Sequence, residues 1–192
     1  MMRILLIAKF FSGKKSIKNM DPRYPIGKYE PQPFSIDQKK KWLQDIQFLP
    51  ALLEQSIENL DEHQLSTPYR DDGWKVKQLV HHVADSHMNA YIRFKLGLTE
   101  ENPIVRPYME NEWAKLDDVE KIPVNISITL LYTLHSRWHA AILHLTDEQW
   151  NRTVMHAQHN KQMTLWHLLG MYAWHGIHHV RHITALRERM SW

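Results

Sequence analysis

Four long stretches of the chain repeat apolar residues at three- and four-residue intervals, the period of an α-helix with one buried face. The intervals predict helices from residue 36 to about 59, from 74 to 98, from 125 to 145 and from 165 to 190. Strand patterns are weak, and we expect at most a small hairpin, within residues 152–163, before the last helix. The pattern therefore predicts an all-α fold, a four-helix bundle.

Polar and proline-containing segments separate the helices. Ser35, Thr146 and Thr164 stand where helix N-caps are expected, and Thr146 opens a short additional turn of helix. Residues 21–34 contain four prolines and predict an extended arm, residues 61–73 predict a loop, and three further prolines interrupt residues 99–124. We expect one domain over residues 21–192, because nothing in this length requires a second core.

The distribution of charge separates the first 20 residues from the rest. Residues 1–20 contain five basic residues and no acidic residue, whereas the whole chain carries a net charge of only +3, so residues 21–192 carry −2. This body is a poor candidate for nucleic-acid binding, which needs a basic face. The basic N-terminal extension is too short to span a bilayer, and Met20 is an alternative start. We expect a cytoplasmic protein that contacts no membrane.

The chain contains 14 histidines and no cysteine, so any metal site must use His, Asp or Glu. Four of these histidines, at 175, 178, 179 and 182, lie in the last helix. Residues i and i+4 share a helical face, so either His175 with His179 or His178 with His182 could chelate one ion. Measured from the apolar stripe, His179 lies about 80° and His175 about 120° away, whereas His178 lies opposite. We therefore expect His178 to face solvent, and both His178 and His182 to remain outside the site or in its second shell.

Helical phase leaves the remaining histidines open. His135 lies in the apolar stripe of the third helix, which favours a core histidine with a hydrogen-bond partner over a ligand pair with His139. In the second helix, His87 lies in the middle of the apolar stripe, and His82 lies about 120° from it. Helical phase alone therefore either favours His87 over His82 as a third ligand or does not distinguish between them.

One long stretch of the chain resembles a known family. The segment PYRDDGWKVKQLVHHVADSHMNAYIRFKLGLTEENP is similar to the signature of the YfiT-type metal-dependent hydrolases of the DinB superfamily, which also contains the bacillithiol S-transferases. YPIGKYEP, RPY, LHSRW and WHGIHH support the resemblance, which covers residues 24–192. It implies a divalent metal bound by His82, His175 and His179, and a homodimer. It does not support His87 as a ligand.

A three-histidine site leaves an open position for catalysis, and zinc is the expected ion, with nickel, manganese or iron as alternatives. Such an ion would activate a water for hydrolysis or, in a thiol S-transferase, the thiol of a small-molecule substrate. Two alternatives remain: a closed site with Asp85 or His135 as fourth ligand, and a non-catalytic helical binding or stress module.

Supporting roles are less determined by the sequence. Asp85 follows His82 by three residues and either orients a ligand from the second shell or is a solvated surface acid. An exposed ion pair is the favoured role of Arg93, against binding of an anionic substrate group. Four tryptophans are expected to pack the core and the walls of the pocket: Trp74, Trp138, Trp166 and Trp174.

Overall fold

The computed structural model describes residues 21–157 and 160–192. The predicted basic extension and two residues of the predicted hairpin turn lie outside these ranges. Four long helices dominate the described part: α1 (Ile36–Ser56), α3 (Val76–Thr99), α6 (Val124–Ile142) and α8 (Leu165–Met190). Short helices α2 (Glu62–Leu65), α4 (Glu110–Trp113), α5 (Asp117–Lys121) and α7 (Asp147–Trp150) lie between them. The predicted four-helix bundle is confirmed.

Local capping determines where these helices begin. The Ser35 hydroxyl accepts a hydrogen bond from the Gln38 N–H at the start of α1, and Thr164 accepts one from the His167 N–H at the start of α8. Thr146 forms the predicted capping box at α7. An equivalent box at Asp61 begins α2 inside the segment predicted as a loop. That prediction was wrong for four residues, although the capping signal was present in the sequence.

A small sheet precedes the last helix. Strands β2 (Thr153–His156) and β3 (Lys161–Thr164) form the predicted antiparallel hairpin. A third strand, β1 (Ile104–Val105), pairs with β2 in parallel register, so the sheet is larger than the expected hairpin. Two residues are too few to show the alternation that identifies a strand, which explains why β1 was missed.

The helices enclose two apolar clusters, one near the sheet and one at the far end of the bundle. Helix α1 packs against α6 and α8, and α3 packs against the same two helices from the other side. The sheet-side cluster includes Trp42, Ile46, Phe94, Trp138, Leu169 and Tyr172. The far cluster includes Leu49, Leu53, Val80, Leu131, Val180 and Ile183.

Each long helix passes from one cluster to the other, and histidines lie at this boundary on three of the four helices. They are His82 and His87 on α3, His135 on α6, and His175 and His179 on α8. All but His175 are buried, and His175 is partly covered. The two apolar clusters thus support a polar layer across the middle of the bundle. Among the described residues, no helix is long and apolar enough to cross a membrane.

Candidate metal centre

Three histidine side chains converge between α3 and α8. The Nε2 atom of His175 lies 3.2 Å from His82 Nε2 and 3.1 Å from His179 Nε2. One candidate ligand atom of each residue lies within 4.8 Å of the others, and neither Asp85 nor His135 belongs to this group. Ligand nitrogens at 2.0–2.1 Å around a tetrahedral zinc lie about 3.3 Å apart. The spacing of the three rings therefore fits one divalent ion with an open fourth position.

Burial keeps these rings uncharged. It lowers the pKa of His82 to about 4 and the pKa values of His175 and His179 well below their ordinary 6.5. A neutral imidazole has a lone pair on one ring nitrogen, which is the form that binds a metal. The three residues are therefore in the ligand state at neutral pH without first losing a proton.

The surroundings of His82 are aromatic. Its ring lies 4.6 Å from the ring of Trp74, and its Nδ1 lies 3.5 Å from the hydroxyl of Tyr108. Burial raises the pKa of Tyr108, so this hydroxyl is uncharged and can accept a hydrogen bond from Nδ1–H. Ligand histidines commonly donate their second N–H to an oxygen that fixes the ring. Sequence reasoning missed Tyr108, although it lies in the RPY motif that supported the resemblance.

Asp85 lies one turn beyond His82 on α3 and is partly buried. Burial, helped by the nearby charge of Asp118, raises its pKa to about 6. Its charge also contributes to the raised pKa of Tyr108, so the two groups interact electrostatically. Its proposed second-shell role stays a prediction, because within the described residues its carboxylate accepts no hydrogen bond from the three histidines.

His87 and His135 lie behind the three converging histidines rather than among them. His87 is fully buried, and its Nε2 lies 3.3 Å from His175 Nδ1, on the side of that ring away from His82. Helical phase therefore identified His87, which contacts the site from behind. The family resemblance identified His82, which converges with His175 and His179. His135 is a buried core histidine with hydrogen-bond partners, as predicted.

The expectation that His178 faces solvent was wrong. His178 and His182 are buried, and their Nε2 atoms lie 2.9 Å apart. The ring of Trp174 stacks on His178 at 4.5 Å, and the ring of Tyr69 lies 4.1 Å from His182. Tyr69 lies in the loop before α3, and the ring of Tyr24 in the N-terminal arm lies 6.3 Å from that of His178, so these two segments cover a helix face that phase alone assigns to the surface. Both residues stay outside the converging group, as expected.

The prediction of an exposed ion pair at Arg93 was also wrong. Its side chain is buried and donates hydrogen bonds to the Tyr172 hydroxyl at 2.6 Å and to the Arg106 carbonyl at 2.8 Å. The guanidinium therefore joins α3 to α8 and to the segment that carries Tyr108. Trp138 and Trp166 are core residues as predicted, whereas Trp74 and Trp174 are partly buried beside histidines.

The chain is similar to proteins of Bacillus along most of its length. Residues 45–183 match the DinB superfamily. YfiT of Bacillus subtilis (strain 168), named a "putative metal-dependent hydrolase", is 50% identical over 170 residues, which cover 88% of this chain and 96% of YfiT. A protein of Bacillus cereus (strain 03BB102) with the same description is 47% identical over 173 residues, 90% of this chain and 99% of that one.

A solved structure extends the similarity to the fold. The structure of YfiT from Bacillus subtilis, described as a four-helix bundle of unusual topology, has a TM-score of 0.87 and 49% sequence identity, covering 90% of this chain and 99% of that one. Sequence identity near one half over almost the full length of both proteins leaves no doubt about descent. The chain belongs to the DinB superfamily, as a YfiT-like protein.

Proposed function

We propose that this protein is a metal-dependent hydrolase in which His82, His175 and His179 bind one divalent ion, with Zn²⁺ as the expected metal. The observation that carries the proposal is the convergence of three neutral imidazoles: the Nε2 of His175 lies 3.2 Å from that of His82 and 3.1 Å from that of His179, and one ligand atom of each ring lies within 4.8 Å of the others. Three uncharged ligands leave the ion its full charge. When bound, such an ion polarises a substrate oxygen and lowers the pKa of a coordinated water toward 7.

The surrounding side chains supply positioning and proton transfer. The Tyr108 hydroxyl accepts from His82 Nδ1–H and holds the ring with Nε2 toward its two partners. Asp85 is ionised at pH 7, since its pKa is raised only to about 6, and it can accept a proton from the attacking water. Trp74 covers His82 and limits access of solvent to the ring.

An activity screen with matched variants tests the proposal. The full chain is reconstituted with Zn²⁺ and assayed against ester and amide substrates, and separately against an alkyl halide with and without a low-molecular-weight thiol. We expect hydrolysis that EDTA abolishes while helical circular dichroism is retained. His179→Ala removes a ligand and should abolish turnover, whereas His178→Gln, a change outside the converging group on the same helix, should retain it.

The outcomes separate the candidate functions. Consumption of the halide that requires both Zn²⁺ and the thiol, without hydrolysis of any ester or amide, would replace the hydrolase with a thiol S-transferase. Tight Zn²⁺ binding that restores structure but supports neither reaction would favour a structural site. Absence of both binding and turnover would leave a helical binding module. The homodimer implied by the resemblance stays a proposal, which light scattering of the full chain can test.

A further inference from the structure

A chain of hydrogen-bonding groups runs from the converging histidines into the core of the bundle. His175 Nδ1 lies 3.3 Å from His87 Nε2, and His87 Nδ1 lies 3.0 Å from His135 Nε2. His135 Nδ1 then lies 2.5 Å from the main-chain carbonyl oxygen of Ile46. The chain thus crosses α8, α3, α6 and α1 in turn and ends on the backbone.

The main-chain carbonyl of Ile46, at the end of this row of hydrogen bonds, lacks its usual partner within the helix. Within an α-helix, the carbonyl of residue 46 would accept from the N–H of residue 50. Residue 50 is Pro50, which lies inside α1 and has no N–H. The Ile46 carbonyl is therefore left without its helical partner, and His135 supplies the donor that the proline withholds.

A carbonyl oxygen can only accept, so it sets the direction of every hydrogen bond in the chain. His135 must carry its proton on Nδ1, which leaves its Nε2 as an acceptor. His87 then donates from Nδ1 to His135 and accepts at Nε2, and His175 donates from Nδ1 to His87. Each ring has one proton to place, because His87 and His135 are fully buried and a buried charge without a counter-ion is strongly unfavourable.

We propose that His87 and His135 are positioning residues that hold His175 as the Nδ1–H tautomer, with its Nε2 lone pair directed toward His82 and His179. The Ile46 carbonyl freed by Pro50 fixes the direction of the chain. Use of this lone pair for a metal rests on the proposed function, whereas the tautomer itself is a property of the metal-free protein. This row of hydrogen bonds ends at a buried carbonyl, which has no proton to exchange. It therefore orients His175 rather than conducting protons.

The tautomers can be observed directly. The full chain, labelled with ¹⁵N and freed of metal, is studied at pH 7.5 by long-range ¹H–¹⁵N correlation, which distinguishes Nδ1–H from Nε2–H rings. Single His→Gln variants assign the signals. We expect His135, His87 and His175 all to be Nδ1–H. An Nε2–H signal for any of the three would overturn the proposal, whether or not the protein binds metal.

The consequence for the metal site is measured by competition titration with Zn²⁺ and a chromophoric chelator. His87→Leu fills a similar volume but removes both hydrogen bonds, and loss of such an outer partner typically weakens metal binding about 10–100-fold. His81→Leu is the matched control, since His81 lies on the same helix but contacts Ser127 at 2.8 Å, outside the chain. We expect the control to stay within about twofold of wild type.

The two measurements separate failure of this proposal from failure of the proposed function. Unchanged Zn²⁺ affinity in His87→Leu would overturn the positioning role, even with the expected tautomers. A wild-type chain that binds no Zn²⁺ would overturn the proposed function, and the tautomer spectrum alone would then decide whether the hydrogen-bond chain is as proposed. If His87→Leu does not fold, the wild-type spectrum still provides the decisive test.

Discussion

Acidification should unfold the metal-free protein, because buried histidines remain neutral in the fold. Burial lowers the pKa values of His135 and His178 to about 4 and that of His182 to about 3, from an ordinary value of 6.5. In the unfolded chain these rings bind protons as the pH falls through 6.5, whereas in the folded chain they do not until about pH 4. Stability is therefore present above pH 6.5 and is lost as the pH falls below it.

The slope of this loss follows from the number of protons. At pH 5 the unfolded chain holds about three more protons on these rings than the folded chain, and each is worth about 1.4 kcal/mol per pH unit. Asp85 acts in the opposite sense, since its pKa is about 6 in the fold and 3.8 otherwise, and it offsets about one proton. About two protons remain from these groups alone, so the loss is at least roughly 3 kcal/mol per pH unit, a large part of the stability of an ordinary domain. Neutral burial of His82, His87, His175 and His179 acts in the same direction.

Urea unfolding followed by circular dichroism, in EDTA at pH 7.5, 6.0 and 5.0, measures this slope. Between pH 6.0 and 5.0 the free energy of unfolding should fall by at least about 3 kcal/mol. His135→Asn should reduce the slope by about one proton, whereas a change at exposed His63, His63→Gln, should leave it unchanged. A free energy that falls by less than about 1 kcal/mol over this interval would refute the burial of neutral histidines.

Three substitutions test the packing that holds the site, each by its urea midpoint. Gly176→Ala places a Cβ 2.5 Å from Leu49 Cδ2, so either the Leu49 side chain must move or α8 and α1 must separate, at a cost of about 1–3 kcal/mol; an unchanged midpoint would contradict this close approach. Arg93→Met leaves the Tyr172 hydroxyl without its donor and should cost about 1.5–3 kcal/mol; an unchanged midpoint would contradict a buried hydrogen bond at this position. Trp138→Ala empties a fully buried position and should cost about 3–5 kcal/mol; a loss below 1 kcal/mol would place Trp138 outside the core.

The long helices were predictable because independent sequence signals agree on where each helix lies. Apolar periodicity and caps at Ser35 and Thr164 indicate the same boundaries, and the helices found end within three residues of those predicted for α1 and α6. The pairing of His175 with His179 followed from their spacing together with helical phase. Helical phase did not identify His82 as the third residue. Phase indicates how deeply a side chain is buried, and the more deeply buried His87 lies behind the site rather than in it.

Other features depend on contacts between distant segments, which a single helical period cannot show. His178 is covered by Trp174 of the same helix and approached by Tyr24 of the N-terminal arm, so part of its burial arises from a segment more than 150 residues away. Arg93 is buried because the segment around Arg106 folds over it. One signal was available and was missed: Pro50 inside α1 frees a carbonyl one turn earlier, which requires a donor from another helix.

Metal content per chain is the most direct test of the central claim that three histidines bind one ion. Elemental analysis would compare the untagged wild type, His179→Ala and His178→Gln after incubation with Zn²⁺ and desalting. The account predicts about one ion per chain in wild type and His178→Gln, and less than about 0.1 in His179→Ala. Equal metal content in His179→Ala and wild type, or no metal in wild type, would contradict it.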